Sequence, residues 1–588
     1  MSRDRTRLRD PDLGYRTIVM VAGAMAGLLV VVWAAARLTG NPRVVNNPLA
    51  YVLGLMLGNY PWPPGATVLL VVLACALLVL LALGVAVYQR YGAIRRAIDL
   101  RGRYMARAGD LRLYTQRGLE EAARKLHTTH VGLCVPIGNL VHGKQPLGSN
   151  YEMVLVCIMG PRSGKTSCLA VRQIMRHRGP VVATSNKRDI VDLTRGPRAV
   201  HGDVRVFDPQ GIIGEQPTWW WNPLSYITAV PPAQQWGRAA ELAGVVIAAG
   251  RTADNARTDA YFDNEAAALL ATVLLAAAVA DYPITECYTW LSNPRDTTAE
   301  TLLMEHDATD LGLAGRAVKD IMQLTPRQRD GVLGMCRSYL SWLRDPAVLP
   351  WITRTSVNDN RPQFDPQTLI SGQHTLYLIS REGAGTARAL TAALTVAVAR
   401  TAEASASRSD SGRLPTPLLL DLDEAANVCK WPDLPDLYSH FGSKGIIPIV
   451  FLQSWAQALE TWGPRGAEKL WSAANVRIVG AGQADPEFLD RVSKLVGDHD
   501  VHRRNTTHGR GQRTIATAKQ RERILEVSDL ARMPNDRAVV LPSGAPAALM
   551  ELVHYSAEPY AADVRDSEAV YAPKNHHQAT PAGSGRPR

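Results

Sequence analysis

Two long apolar stretches lie near the start of the chain, at residues 17–36 and 67–88, and neither contains a charged residue. At 1.5 Å of rise per residue, each is long enough for a helix that crosses about 30 Å of hydrocarbon. The first stretch is longer than a signal-peptide core and a second follows it, so we interpret the pair as two membrane helices and not as a cleaved signal. A third apolar run, 266–280, is too short to span a bilayer and predicts a buried helix.

Arginine sets the orientation of this predicted hairpin. Five arginines precede the first span, six follow the second, and the connection at 38–66 carries only Arg43. Because positive charge stays on the cytoplasmic side, both termini are predicted to be cytoplasmic and the connection faces outward. This pattern predicts a cytoplasmic N-terminus (1–16), a membrane hairpin (17–90) and a basic juxtamembrane linker (91–130). Whether the apolar part of the connection, 48–60, lies in the membrane interface is left open.

The rest of the chain alternates strand and helix patterns, which is typical of an α/β domain. Seven strands are predicted, at 153–159, 180–185, 204–209, 374–380, 417–423, 446–454 and 476–482. Between the third and fourth of them the Ala/Leu-rich periodicity is helical, which indicates an all-α insertion. We therefore predict a nucleotide-binding domain in two parts (131–229 and 361–556), an all-α domain (230–360) and a disordered tail (557–588).

Composition narrows the class of protein only slightly. The chain has 588 residues, of which 46% are hydrophobic and 20% charged, so disorder, collagen and coiled-coil rods are excluded as descriptions of the whole. A formal charge of +11 is compatible with a polyanionic partner. The seven cysteines are dispersed without a C-x-x-C pair, which argues against a disulfide framework and a cysteine zinc site.

A nucleotide-binding loop is predicted where the first strand ends. Gly164, Lys165 and Thr166 stand between an apolar strand and a helical stretch, so backbone N–H groups can hold phosphates, Lys165 can neutralise them and Thr166 can hold Mg²⁺. The usual first glycine of this motif is replaced by Met159. The predicted loop consists of Gly160, Pro161, Arg162, Ser163, Gly164, Lys165, Thr166 and Ser167.

Acidic residues follow a later apolar strand, in the sequence PLLLDLDEAAN. Carboxylates at the C-terminal edge of a sheet suit a metal site, so we predict that Asp423 holds Mg²⁺ and that Glu424 polarises the attacking water. Asp421 would point to the same side as Asp423 and remains an alternative, as does an N-cap role for these acids. Gln453, at the end of the next strand, is predicted to sense the γ-phosphate or orient water. Together these residues predict ATP hydrolysis with Mg²⁺.

Several motifs taken in order resemble one family, the type IV coupling proteins, which are TraG/TraD-like conjugative DNA-transfer ATPases of type IV secretion systems. The motifs are two N-terminal spans, MGPRSGKT, ATSNKRDIVDLT, VFDPQG with WNPL, LLLDLDEAAN, FLQSWAQ and RILEVSDLARMPNDRAVVLPSG. The resemblance implies a membrane-anchored, RecA-like P-loop NTPase with an all-α domain that assembles as a homo-hexamer. It also implies transfer of relaxase-bound single-stranded DNA, or of protein, to the secretion channel. The family's Walker lysine and threonine fall on Lys165 and Thr166, its Walker B pair on Asp423 and Glu424, and its glutamine on Gln453.

One basic segment and one aromatic run allow two interpretations each. Arg503, Arg504, Arg510 and Arg513 could contact DNA phosphates or supply an arginine finger to a neighbouring subunit, and a solvated flexible loop is the alternative. The run 219–221 consists of three tryptophans that could stack on nucleic acid, but we predict that they pack at a domain junction.

The sequence therefore predicts an inner-membrane ATPase that drives conjugative transfer. Two other functions stay open. One is a membrane-tethered DNA translocase of the FtsK/HerA type, and the other is a docking receptor that binds ATP but hardly hydrolyses it.

Overall fold

The computed structural model describes residues 29–39, 44–76, 97–250, 260–305, 312–381, 387–509 and 512–573, with only the backbone at 502–509 and 512–518. The chain divides into two compact units, Met1–Ala97 and Ile98–Arg588. The second unit contains both the sheet and the helical insertion, because one continuous hydrophobic core joins them. The finer division into domains stays a prediction.

The first unit contains three described helices: α1 (residues 29–37), α2 (Pro48–Met56) and α3 (Ala66–Ala76). The two predicted spans fall largely outside the described residues, and the described parts of both are helical, at 29–36 and 67–76. The only described helix with the length and apolar composition of a span is Phe262–Val279, and 61% of it is buried inside the protein. The two-span hairpin therefore stays a prediction, whereas the run at 266–280 belongs to a buried helix, as expected.

The second unit is built on an eleven-stranded sheet in the order β2-β1-β13-β12-β9-β3-β8-β7-β4-β6-β5. Its strands are β1 (Val135–Leu140), β2 (Pro146–Ser149), β3 (Leu155–Ile158), β4 (Val181–Ser185), β5 (Val204–Phe207), β6 (Thr375–Ile379), β7 (Leu418–Leu422), β8 (Ile446–Leu452), β9 (Val476–Gly480), β12 (Arg537–Pro542) and β13 (Ala548–Glu551). A separate two-stranded ribbon pairs β10 (Asp498–Gly509) with β11 (Gln512–Arg523).

The seven strands from β9 to β5 run parallel, and they are the seven that the apolar runs predict. Both faces of a parallel sheet are covered, which is why most residues of these strands are apolar. In β7, Leu418 and Leu420 enter the larger core beside the helical insertion. Leu419 points the other way, into a second core with Ile449 and Ile174. Because all seven strands run in the same direction, their carboxyl ends lie at one edge of the sheet.

Between β5 and β6 the described residues form helices and loops, with one isolated bridge between Trp220 and Gln363. These helices are α8 (Ser225–Thr228), α9 (Pro232–Gly250), α10 (Ala260–Val279), α11 (Ile284–Ser292), α12 (Thr298–Glu305), α13 (Gly312–Met322), α14 (Pro326–Tyr339), α15 (Leu349–Ile352) and α16 (Pro366–Ile370). The central one, α10, buries Leu269, Leu270 and Leu274 completely.

The remaining helices cover the sheet. They are α4 (Ala97–Arg101), α5 (Gln116–Lys125), α6 (Val171–Arg176), α7 (Asp189–Ala199), α17 (Arg388–Arg408), α18 (Ala425–Val428), α19 (Leu434–Lys444), α20 (Trp455–Ala473, broken at Gly463), α21 (Pro486–Val496), α22 (Val527–Ala531) and α23 (Ala561–Tyr571). A π-helical turn, Lys165–Ala170, leads directly into α6.

The predicted tryptophan junction is confirmed. Trp219, Trp220 and Trp221 are all buried. Backbone hydrogen bonds from Trp221 N–H to the Trp351 carbonyl (2.9 Å) and from Phe364 N–H to the Trp220 carbonyl (2.7 Å) join the two ends of the insertion. The run therefore closes the insertion and is too buried to stack on nucleic acid.

Within two of the predicted segments the structure differs from the prediction. The segment from 98 to 130 is more than a linker, because it buries Leu111 and Tyr114 against the sheet. The predicted disordered tail begins too early, because α23 folds with Val564 fully buried beside Val171 and Leu193. Residues 574–588 lie outside the described residues.

Candidate nucleotide-binding site

The loop after β3 has the backbone of a phosphate-binding turn. Gly164 has a φ of +89°, a left-handed conformation that favours glycine, and Arg162 adopts a φ of +56° despite its side chain. The Ser163 hydroxyl donates to the Gly160 carbonyl at 2.6 Å and holds the turn closed. A strained turn that opens into a π-helical segment is typical of functional sites.

Met159 stands where this motif usually has its first glycine, and glycine in a neighbouring strand makes room for its side chain. Its side chain is fully buried, and a Cβ added to Gly480 of β9 would lie only 2.6–3.0 Å from it. Gly160 fills a second tight position, where a Cβ would lie 2.7 Å from the Gly482 carbonyl oxygen. Glycines at 480 and 482 therefore complement the Met159–Gly160 pair.

Lys165 lies across the loop with its ammonium group among carbonyl and carboxylate oxygens. It donates to the Met159 carbonyl at 2.9 Å, and its Nζ lies 3.7 Å from Glu424 Oε1. The lysine is 8% exposed and Glu424 is 6% exposed, so water screens this pair little. The two residues come from β3 and β7, which are separated in the sheet by β8.

The acidic pair after β7 faces the same point. The Thr166 hydroxyl donates to Asp423 Oδ2 at 3.3 Å, and the Gln453 amide donates to Glu424 Oε2 at 2.8 Å. Glu424 has a left-handed φ of +55° and makes no capping hydrogen bond to α18. Its side chain therefore faces Lys165 and Gln453 and does not cap the helix, which counts against the N-cap alternative.

Burial raises the pKa values of both aspartates. Burial and the charge of Glu424 raise the pKa of Asp423 to about 7, although Lys165 and the Thr166 hydroxyl oppose the rise. Burial and the charge of Asp423 raise the pKa of Asp421 well above its ordinary value. Three of their carboxylate oxygens have no hydrogen-bond partner among the described residues: both oxygens of Asp421, and Oδ1 of Asp423. Asp423 thus has one carboxylate oxygen available to a ligand.

Four supporting residues were not predicted. The Thr184 hydroxyl donates to the Asp423 carbonyl at 2.9 Å, and the Asn427 amide donates to Glu424 Oε2 at 3.4 Å. The Gln457 side chain accepts the Gln453 N–H, and the Gln483 amide donates to the Gln453 carbonyl, both at 2.8 Å. Gln483 could have been found from sequence, because it is a polar residue just beyond a parallel strand, at the same edge as Gln453.

The basic segment forms the β10–β11 ribbon. Its backbone pairs Arg503 with Ala518, Arg504 with Thr517 and Arg513 with His508. The side chains of these arginines, and Arg510 as a whole, lie outside the described residues. Their contact with DNA or with a neighbouring subunit stays a prediction.

These residues fit ATP with Mg²⁺. The described residues contain no group of three His, Cys, Asp or Glu side chains that could enclose a metal ion by themselves. Mg²⁺ is commonly held by one or two protein oxygens together with phosphates and water. The free oxygen of Asp423 and the Thr166 hydroxyl supply such a half-site, next to Lys165 and the turn of N–H groups.

One family model and two curated proteins are similar to this chain in sequence. The family model described as the TraM recognition site of TraD and TraG matches residues 417–535. Conjugal transfer protein TraG of Agrobacterium fabrum is 22% identical over 432 residues, which cover 69% of this chain and 61% of TraG. Protein VirD4 of Rhizobium radiobacter is 22% identical over 428 residues, which cover 71% of this chain and 58% of VirD4. The chain thus spans about three fifths of the length of these relatives.

Among solved structures, the unbound form of the bacterial conjugative coupling protein TrwBdeltaN70 has a similar fold. The TM-score is 0.51 at 17% identity, and the match covers 71% of this chain and 88% of that one. This likeness shows that the chain shares the α/β fold of that structure.

Proposed function

The chain resembles the type IV coupling proteins, and we propose that it acts as one: a membrane-anchored ATPase that moves DNA or protein into a secretion channel. The observation that carries this proposal is the meeting of Lys165, Thr166, Asp423, Glu424 and Gln453 at one edge of a parallel sheet. Ligands of open α/β sheets bind at that edge. The relatives are named for conjugal transfer and coupling, which supports the transport role.

Each of these side chains has a distinct proposed role. Lys165 and the N–H groups of the turn bind the phosphates, while Thr166 and Asp423 hold Mg²⁺. When bound, Mg²⁺ neutralises the charge on the β- and γ-phosphate oxygens.

Glu424 orients the attacking water and accepts its proton at a carboxylate oxygen. Gln453, by donating to Oε2, fixes the Glu424 rotamer and leaves Oε1 on the side of Lys165. Gln453 is in this view a positioning residue.

The remaining parts of the proposal concern location and partners. Two membrane helices, at 17–36 and 67–88, anchor the chain with both termini in the cytoplasm, and six copies form a ring. The cargo is single-stranded DNA bound to a relaxase, and channel components receive it. The matched family model is described as a TraM recognition site. The proposal therefore includes a TraM-like protein partner that binds this chain within residues 417–535.

ATP hydrolysis by the full chain in lipid nanodiscs, with and without single-stranded DNA, tests the proposed function. We expect Mg²⁺-dependent hydrolysis that DNA stimulates several-fold. Hydrolysis that DNA leaves unchanged would contradict a DNA motor, and ATP binding without hydrolysis would favour the docking receptor.

Asparagine substitutions separate Asp423 from Asp421. Asp421 is fully buried, and burial with the charge of Asp423 raises its pKa and so favours the neutral carboxyl, which Asn resembles. Asp421→Asn should therefore leave the Mg²⁺ dependence of hydrolysis within about threefold of wild type. Asp423→Asn removes a metal-binding charge and should lower activity about a hundredfold or more. A Mg²⁺ titration of hydrolysis measures both. An equal loss in both variants would transfer the metal role to Asp421 or divide it between them.

Glutamine substitutions in the ribbon test its contact with DNA. If Arg503, Arg504 and Arg513 each contact a phosphate, each substitution should lower the salt slope of DNA binding by about one unit. Lys519→Gln is the matched control, because Lys519 already pairs with Asp500 at 2.8 Å. Binding measured between about 50 and 200 mM salt gives the slopes. If all three arginine variants show the same salt slope of DNA binding as the Lys519→Gln control, the ribbon does not contact DNA.

A further inference from the structure

The first unit exposes an unusual amount of apolar surface. About half of the large hydrophobic side chains that are exposed in the described residues lie between 29 and 76. Soluble surfaces rarely carry contiguous apolar patches of this kind without a partner. The clearest patch is one face of α2, the helix in the connection between the two predicted spans.

One face of α2 is buried and the other is exposed. The inner face buries Tyr51 and Gly54, and a Cβ on Gly54 would collide with the Tyr60 ring, so that glycine lets Tyr51 and Tyr60 stack with centroids 5.7 Å apart. The outer face covers about a third of the helix circumference and is wholly apolar. Its members are Leu49 (59% exposed), Ala50, Leu53 (57%), Met56 (82%) and Leu57 (68%) just beyond the helix.

We propose that this outer face of α2 lies in the membrane interface, with lipid acyl chains as its partner. No Asp, Glu, Lys, Arg or His occurs between Arg43 and Arg90, so the patch has no charge with which to select a protein surface. The same unit exposes Val68, Val71 and Val72 on α3, at the start of the second predicted span. The inference rests on the membrane anchoring in the proposed function.

Aromatic side chains with polar tips indicate the depth. Trp33 Nε1 donates to the Val45 carbonyl at 2.8 Å, and Trp62 Nε1 donates to the Thr67 hydroxyl at 3.0 Å. Both indoles flank the core formed by Ala36, Val44 and Tyr51. Tryptophan and tyrosine collect at the boundary of headgroups and acyl chains. At nine residues α2 is far too short to cross the bilayer, so it lies along this boundary.

Because α2 has no charged residue, its insertion into lipid should not depend on lipid charge or on salt concentration. Interfacial helices with Lys or Arg on the polar face bind anionic lipids more strongly, and salt weakens that attraction. Insertion of α2 depends on apolar burial alone. It should be the same in neutral phosphatidylcholine and in mixtures with phosphatidylglycerol, and it should not respond to salt.

A fluorescent label on the full chain tests the inference. In a Cys75→Ser, Cys134→Ser background the five remaining cysteines are buried. One added cysteine at a time, at Leu53→Cys, Asn59→Cys or Val71→Cys, carries an environment-sensitive dye in nanodiscs with one chain each. Position 53 reports the outer face of α2, exposed Asn59 is the polar control, and position 71 reports the predicted span. Dye quenching by aqueous iodide is compared with quenching by lipids that carry a shallow quencher. Binding of a fluorescent ATP analogue to each labelled chain shows that the second unit is folded.

We expect lipid quenching at 53 to exceed that at 59 by about threefold or more, with iodide giving the reverse order. Iodide quenching at 53 equal to that at 59 overturns the inference if position 71 is still quenched by lipid. If position 71 is also open to iodide, the membrane anchoring itself is wrong. Protection at 53 that occurs only with several chains per nanodisc would identify a second copy as the occupant and also overturn the inference.

Discussion

Glu424→Gln is expected to slow ATP hydrolysis by about 10²–10⁴-fold while ATP still binds, because this range is the usual contribution of a general base. The substitution conserves volume, and the new amide oxygen can still accept the 2.8 Å hydrogen bond from Gln453. It removes only the charge and the ability to take a proton. Turnover in nanodiscs and binding of a fluorescent ATP analogue measure the two properties separately.

Two further variants make this result specific. Lys165→Ala should weaken ATP binding as well as hydrolysis, because Lys165 is proposed to contact the phosphates directly. Glu460→Gln, on an exposed part of α20, should change neither. Hydrolysis at the wild-type rate in Glu424→Gln would exclude the general-base role, and wild-type DNA transfer in both Glu424→Gln and Lys165→Ala would exclude the motor.

Glu558→Ala is expected to destabilise the folded chain by about 3–5 kcal/mol, the usual cost of removing one partner of a buried ion pair. Glu558 accepts from Arg172 Nε at 2.7 Å and also pairs with Arg176, and both arginines belong to α6. Burial alone would raise the pKa of Glu558, but these two arginines outweigh it and hold the pKa below its ordinary value. Without Glu558, the guanidinium of Arg172 stays buried and unpaired.

Thermal melting and limited proteolysis of the full chain measure this effect. We expect a lower melting temperature and faster cleavage near 553–560, where the C-terminal segment would detach from α6. Asp566→Ala, an exposed change on α23, is the control and should stay within about 0.5 kcal/mol. Arg172→Met added to Glu558→Ala should restore part of the stability. A Glu558→Ala chain that melts with the control would show that the ion pair contributes little.

The sequence predicts the parallel half of the sheet well, for a physical reason. Strands buried on both faces, such as β3 and β8, leave unbroken apolar runs. The polar residues just beyond those runs then meet at one edge, so proximity of Thr166, Asp423 and Gln453 follows from topology. The structure adds what topology does not contain, namely which atoms face each other, as in the contact of Lys165 with Glu424 Oε1.

The antiparallel half of the sheet leaves a weaker signal. The strand β1 reads VPIGNL and β13 reads ALME, and neither is a long or uniformly apolar run. Such strands are held by partners distant in sequence. The Glu558 ion pair and the fit between Met159 and Gly480 were missed for the same reason, because each joins residues hundreds of positions apart.

The pairing of β1 with β13 has a consequence for how the protein is made. Lys144, just after β1, contacts Glu551 at the end of β13, and the two are 407 residues apart. At about 5–20 residues per second, a ribosome needs about 20–80 s to make that stretch. The unfinished chain must therefore keep the first strands of its sheet away from wrong partners for tens of seconds.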